Sequence, residues 1–459
     1  MNIENNTMIL GVQCKSAFSS LSLAERTCPL GLLTILSQAG DRECWIFNEE
    51  VSGECTSAVP DLVNRAEVVL LSAHSGNIMK SLRFGRELSK LGKVVYIGGP
   101  EPSMIGPALL RDHPYLTGLV VGAGERTLAN LLSGFGKKSA NVFVRDKETF
   151  YDPLQYICPA TRIDFENIRV DYRRLWDLLK HRGVSYLWGN DCTQARERCF
   201  FCGRISLGLG YRPAELIWDE LLYVYRQGLK FFYNTTDSVT TNIRAFKAFC
   251  DAKPLEMKDD IHRVFVNANR VNLELVDSLH RLNGVAVIGI ESFGRLEETG
   301  KLRTYIGDNL SAVNILARNG VHMVLSFVYG LPKETPETID ATELGIVRLV
   351  EEFGHMIDSI HLSPLLVTTG SPAWRRLMAL PMVRCKYSTK KVPYDVIEVT
   401  NDYFNYFCSV TRDYCIERIF ALCSIIRSRN PKIKIGAKGI LKSEELPQEV
   451  SQDNQLAGT

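Results

Sequence analysis

Short unbroken runs of Val, Leu and Ile alternate with helical patterns along most of this chain. That alternation limits the fold more than any other feature. In residues 8–133 the runs are MILGVQC (8–14), ECWIF (43–47), EVVLLSAH (67–74), KVVYIGG (93–99) and LTGLVVGAG (116–124). A helix opens at Pro29 and is predicted to end at Gly40, another runs to Gly92, and ERTLANLLSGF closes the unit. Continuous apolar strands between helices indicate an α/β fold with a parallel sheet covered on both faces. Ligands on such sheets bind at the carboxyl ends of the strands. Those ends carry Ser72, Gly98, Gly99, Gly122 and Gly124. Glycines there let a bulky ligand approach the backbone, with plain tight turns as the alternative. None of the turns is GxGxxG, which disfavours a dinucleotide.

Residues 136–183 read as an irregular connector. The alternation restarts at Val184 and gives six strand–helix repeats to about residue 370, most of a parallel barrel. In barrels the chemistry lies at the carboxyl ends of the strands. Here those ends carry Asn234, Asp237, Arg270, Glu291 and Ser292. One such residue is a helix cap; so many together argue for a cofactor and a substrate. Residues 371–435 are predicted to be helical, and 436–459 form a polar, disordered tail.

The first barrel strand leads into VSYLWGNDCTQARERCFFCGR (184–204), with Cys192, Cys199 and Cys202 in one loop. Three thiolates hold three irons of a four-iron cluster and leave the fourth iron open to a small molecule. Phe200 and Phe201 would wall such a cluster from water. A Cys-x-x-Cys pair is also half a zinc site or a redox pair. A zinc site needs a second pair, and the sequence has no other Cys-x-x-Cys. A redox pair has no need of a third cysteine. Cys408, Cys415 and Cys423 fall at helical spacing on one predicted helix and read as packing residues.

Composition narrows the class. The 459 residues suffice for two or three domains, and 45% hydrophobic with 23% charged residues is ordinary for a soluble globular protein. A net charge of +2 gives no sign of a nucleic-acid partner. Thirteen scattered cysteines fit a reducing cytoplasm better than a disulfide framework. No signal peptide or apolar run long enough for a membrane span is visible, so the chain is expected to be cytoplasmic.

These stretches resemble the cobalamin-binding-domain class of radical S-adenosylmethionine (radical SAM) enzymes, over nearly the whole chain. AEVVLLSAHSGN, KVVYIGGPEPS and VVGAGERTLANLL follow the order of their cobalamin domain. NRVNLELVDSLHRLNGVAVIGIESFGRLEETGKLRT, FVYGLPKETPETI and HLSPLLVTTGSPAW are similar to strand regions of their partial (β/α)6 barrel. The resemblance implies a Rossmann-like cobalamin-type domain (1–135), the connector (136–183), a radical SAM partial barrel (184–370) and a helical C-terminal region (371–435). Three features depart from the family pattern. Six residues, TQARER, separate Cys192 from Cys199 where the family has three; Lys333 replaces a glycine; and no Asp-x-His-x-x-Gly supplies an axial histidine. His74, the histidine at a strand end of the first unit, reads as a turn residue.

The resemblance implies that Cys192, Cys199 and Cys202 hold a 4Fe-4S cluster. S-adenosylmethionine would be cleaved there to a radical that takes hydrogen from an unactivated carbon. It further implies a one-electron donor such as flavodoxin or ferredoxin. Asn234 and Asp237 would bond the ammonium or ribose of S-adenosylmethionine, Glu291 and Ser292 the ribose, and Arg270 its carboxylate. Cobalamin would lie against Ser72, Gly98, Gly99, Gly122 and Gly124. Three readings follow. The first is cobalamin-dependent C-methylation of a small molecule in natural-product biosynthesis. The second is radical dehydration, epimerisation or rearrangement, for example of a sugar or aminoglycoside, by an enzyme whose first domain has lost its ligand. The third is a non-catalytic cobalamin carrier or sensor, which leaves the polar barrel mouth unexplained. The absence of a recognition domain for a leader peptide or tRNA favours a small substrate.

Overall fold

The computed structural model describes residues 7–18, 28–125, 142–144, 152–154, 156, 158, 163–190, 192, 199–204, 210–301, 305–437 and 439–440. Its first sheet contains β1 (Ile9–Gln13), β2 (Cys44–Asn48), β3 (Val68–Ser72), β4 (Val94–Gly98), β5 (Gly118–Val120) and β6 (Val142–Val144). The strand order is β2-β1-β3-β4-β5-β6. The first five are parallel, and β6 runs antiparallel to β5. Order 2-1-3-4-5 is one of the two common doubly wound arrangements. Alternate residues serve the two faces, as strand geometry requires. Leu10, Val12, Val69, Leu71, Val95 and Ile97 bury one face in a core of their own. Ile9, Ile46, Val68 and Leu70 bury the other in a core shared with the second sheet.

That second sheet contains β7 (Val184–Tyr186), β8 (Phe231–Asn234), β9 (Ile261–Val266), β10 (Gly284–Glu291), β11 (Met323–Tyr329), β12 (Ile357–Pro364) and β13 (Lys434–Ala437). Strands pair in sequence order, and every pair is parallel. The crossover helices begin where capping chemistry dictates. Asn242 accepts from Ala245 N, Asn272 from Leu275 N and Thr335 from Thr338 N. Outward side chains such as Ile288, Leu325 and Leu362 meet these helices in the large core. Inward ones form a separate small cluster of Val285, Val287 and Val324, with Phe265 against it. That cluster marks the floor of the barrel lumen.

Four expectations change. The helix opening after Pro29 spans Leu30–Leu36, short of Gly40. The connector supplies a strand, β6, too short to carry a periodic signal. Gly436 and Ala437, expected in a disordered tail, belong to β13 and pair with His361 and Leu362; residues 441–459 lie outside the described residues. The single predicted C-terminal helix is two, Val396–Phe407 and Arg412–Arg429. Cys408 ends the first, where its Sγ lies 3.4 Å from Leu331 O, while Cys415 and Cys423 are buried on the second.

Candidate active site

Cys199 and Cys202 bracket a tight turn in which Cys202 N donates to Cys199 O at 2.9 Å. The turn is fixed on both sides by Phe200, whose N–H donates to Thr299 O (2.8 Å) and whose carbonyl accepts from Ala373 N (2.9 Å). Phe200 and Phe201 are half-buried against the large core. Burial pushes the Cys199 thiol up to about 12, with Lys301 opposing and the neighbouring Glu291, Cys202 and Cys192 adding to the rise. Cys199 therefore feels the other two thiols, and a bound cation would favour its thiolate form. Residues 193–198, the extra length between the first two cysteines, lie outside the described residues. Among the described residues no three Cys, His, Asp or Glu side chains stand in metal-holding geometry. The donor set itself, three cysteines in an apolar collar, fits an iron–sulfur cluster.

Beside this turn lies the mouth of β10. Glu291 is buried and holds φ +68°, a left-handed backbone that a non-glycine residue rarely adopts. A register shift between Gly289 and Glu291 produces it. The Glu291 carboxylate pairs with Lys301 Nζ, which also donates to Gly289 O at 2.8 Å. The pair fills the space over Gly289, where an added Cβ would sit 2.8 Å from Lys301 Nζ. At the same level Gly289, Ser326, His361 and Gly436 pair across four neighbouring strands. His361 lies over Gly436, whose Cβ would meet its Cδ2 at 2.9 Å. Two glycines, a serine and an imidazole thus line the lumen above its apolar floor. Lys301, Ser326 and His361 were not singled out from the sequence. Two-residue alternation from the lumen-facing Val324 and its pairing partner Ser359 would have found Ser326 and His361.

The other expected residues fall in different places. Asn234 is fully buried on the helix-facing side of β8, where its Oδ1 accepts from Thr236 N. Asp237 pairs with Arg204 Nε at 2.6 Å and so fastens the cysteine loop. The Ser292 hydroxyl accepts from Arg295 N (2.8 Å) and Gly294 N (3.1 Å), so it shapes its own turn. Arg270 ends a 3-10 helix, Ala268–Arg270, and is exposed. Thus Glu291 and the three cysteines share one mouth, whereas Asn234 Oδ1 and the Ser292 hydroxyl hold their own turns.

In the first sheet, Ser72, Gly98, Gly99, Gly122 and Gly124 do come together. They line a cavity of about 210 Å³ at the carboxyl ends of β3, β4 and β5, with Leu32, Ile35, Tyr96, Ala123 and Glu125. Gly99 has φ +107°, and its Cβ would lie 2.5 Å from Ala73 O. Gly124 would press on Ile35 Cδ1 at 2.7 Å. His74 is a turn residue: its Nδ1 accepts from Gly76 N at 3.1 Å, and burial pushes its pKa down. The cavity can take a flat heterocycle or nucleotide tail. A whole corrinoid is larger, so its ring would extend beyond this edge.

No family model matches the chain. The radical SAM methyltransferase TsrM of Kitasatospora setae, solved with cobalamin and a 4Fe-4S cluster bound, superposes with a TM-score of 0.67. The match is 14% identical and covers 94% of this chain and 91% of TsrM. The fold is that of the cobalamin-binding-domain radical SAM enzymes. The cobalamin-dependent radical SAM enzyme OxsB gives a TM-score of 0.58 at 14% identity, over 74% of this chain and 51% of OxsB. Among curated proteins, the anaerobic magnesium-protoporphyrin IX monomethyl ester cyclase of Rubrivivax gelatinosus is 22% identical over 65% of this chain and 56% of its own length. The corresponding cyclase of Cereibacter sphaeroides is 23% identical over 54% of this chain and 43% of its own length. The chain thus spans about half the length of these curated relatives. The radical SAM fold accounts for the two α/β units, and among the described residues no helix is long and apolar enough to cross a membrane.

Proposed function

We propose that this protein is a radical SAM enzyme acting on a small molecule, with cobalamin-dependent C-methylation as its reaction. One observation carries the reading: the Cys199–Cys202 turn sits at the same barrel mouth as the strained Glu291 and its partner Lys301. TsrM, solved with cobalamin and a 4Fe-4S cluster bound, and the cobalamin-dependent radical SAM enzyme OxsB support it by likeness. When bound, the 4Fe-4S cluster would supply an electron for sulfonium cleavage and cobalamin a transferable methyl group. The chain's own part is positioning and exclusion of water. Cys192, Cys199 and Cys202 would hold the cluster, and Phe200 and Phe201 would keep solvent from it. Glu291 and Lys301 offer an acceptor and a cation to a polar ligand at the mouth. Ser326 and His361 would face the substrate above the apolar floor of Phe265, Val287 and Val324. Ser72 and the glycine edge at Gly98, Gly99, Gly122 and Gly124 would take the tail of the corrinoid. An electron donor of the flavodoxin or ferredoxin kind and a reducing cytoplasm fit the same reading.

A second reading has its own observation. The Cβ positions of Gly99 and Gly124 are blocked by Ala73 and Ile35, so packing alone accounts for these glycines. That favours a radical dehydratase, epimerase or rearranging enzyme whose first domain is scaffold. The visible spectrum of anaerobically purified protein supplied with hydroxocobalamin separates the two. Iron–sulfur absorption with retained corrinoid bands is expected. Iron–sulfur absorption alone, with full turnover, would leave only the second reading.

A further inference from the structure

Glu101 stands in the first turn of the helix Pro100–Ile105, directly after the Gly98–Gly99 edge of the cavity. It is buried, 7% exposed, and its described partners are hydroxyls. Ser75 Oγ donates to Oε2 at 2.7 Å, and Thr369 Oγ1 donates to Oε1 at 2.5 Å. Ser75 lies in the loop after β3 of the first sheet. Thr369 lies in the loop after β12 of the barrel, 268 residues beyond Glu101. Burying a carboxylate between two neutral donors is costly. A helix dipole favours an acid in the first turn, but it does not account for the hydroxyl of Thr369 that the barrel brings to Glu101.

The segment that Glu101 grips is the one that seats the cysteine turn. Gly370, at φ +76°, approaches the first domain so closely that a Cβ would lie 2.3 Å from Met104 Cε. On the opposite side, a Cβ on Gly203 would meet Thr368 Oγ1 at 2.6 Å. Ser371 caps the next helix, and Ala373 N donates to Phe200 O inside the Cys199–Cys202 turn. Residues 368–373 are therefore held by the cavity edge on one side and by the cysteine turn on the other.

We propose that Glu101 is a positioning residue that couples the first-domain cavity to the cluster turn, so that order at one site is felt at the other. The identity of the two ligands rests on the function proposed above; the coupling itself rests on contacts within the chain. Such coupling is reciprocal. The test is hydrogen–deuterium exchange on the full chain as purified, with no cofactor added. Glu101→Ala should speed exchange at the Phe200 and Ala373 amides by about tenfold, the loss of the buried hydrogen bond that reaches the barrel at Thr369. The helix Ala214–Arg226 should exchange as before. Glu101→Gln keeps an oxygen for Thr369 and should restore most of the protection. Thr369→Val removes only the barrel-side donor and should reproduce the Glu101→Ala pattern, which covers the case in which Glu101→Ala does not fold. A second arm measures the affinity of S-adenosylhomocysteine with and without hydroxocobalamin. The corrinoid should shift it severalfold in wild type and not in Glu101→Gln/Thr369→Val. Wild-type protection at Phe200 and Ala373 in Thr369→Val would overturn the proposal, as would an undiminished corrinoid effect in the double variant. Failure of wild type to bind corrinoid would count against the proposed methyl transfer alone, because the exchange arm needs no corrinoid.

Discussion

Arg204 Nε lies 2.6 Å from Asp237 Oδ2, which ties the residue two positions past Cys202 to the loop after β8. Arg204 also donates to Asn190 Oδ1 at 2.5 Å, ahead of the cysteines. One guanidinium thus closes the loop that carries Cys192, Cys199 and Cys202. Both partners are partly exposed, so the pair is worth about 1 kcal/mol or less in global stability. Asp237→Asn should leave the melting temperature nearly unchanged yet lower iron retained through desalting severalfold. Full retention of iron would show that the loop holds itself without the pair.

Cys192, Cys199 and Cys202 replaced together by Ala should abolish iron binding and all release of 5′-deoxyadenosine. Retention of about four irons per chain in that variant would remove the cluster assignment. Replacing Cys408, Cys415 and Cys423 should leave iron unchanged, because the first caps a helix beside Leu331 O and the other two are packed in the core. That variant should instead melt at a lower temperature, since two of the removed sulfurs are buried.

The cavity at Ser72 and Gly98 calls for a substitution that fills it without disturbing its walls. Gly99 is unsuited, since any side chain there strikes Ala73 O. Ala123 lines the same cavity. Ala123→Phe should reduce hydroxocobalamin retention tenfold or more while sparing iron content, read by visible absorption and iron assay on the same sample. Equal corrinoid retention in both proteins would move the corrinoid away from this edge.

His181 gives the pH dependence a defined sign. It is buried, its Nδ1 bonds Asp177 O at 2.9 Å, and Asn48 Nδ2 lies 3.4 Å from its Nε2. Burial pushes its pKa down. The unfolded chain, with an ordinary value of about 6.5, therefore binds the proton more readily than the folded one. The stability contributed by neutral His181 is present above about pH 6.5 and is lost as pH falls below it. Urea unfolding of His181→Gln should show a flatter decline than wild type between about pH 6.5 and 5. Parallel curves would assign the acid loss to other groups.

The alternation of apolar runs and helices is legible because the strands of both sheets, β6 apart, are parallel and buried on both faces. The same property hid the lumen. FFYN and SIHLSP are apolar or buried on both sides, so the pattern does not say which residue faces inward. By sequence Asn234 reads as a mouth residue, although it follows Phe232 into the helical layer; His361 carries no such signal, although it follows Ser359 into the lumen. The cysteine turn was readable because its chemistry is local, three thiols within eleven residues. Glu101 was not, because its partner Thr369 lies 268 residues away. The strand KIGA was missed because four residues ending in Gly-Ala carry too little β signal.

The order of the second sheet bears on how the protein is made. Its strands pair in the order of synthesis, from β7 at one edge to β13 at the other. Each strand from β8 onward can dock on a neighbour that has already left the ribosome. The cysteine loop emerges early, with β7, but Thr299 and Ala373, which hold its turn, come about one hundred and one hundred and seventy residues later. During that interval the turn lacks the two backbone partners that fix it. A nascent chain stalled before Ala373 would thus carry its three thiols on an unanchored loop, and the turn would set only once Ala373 has emerged.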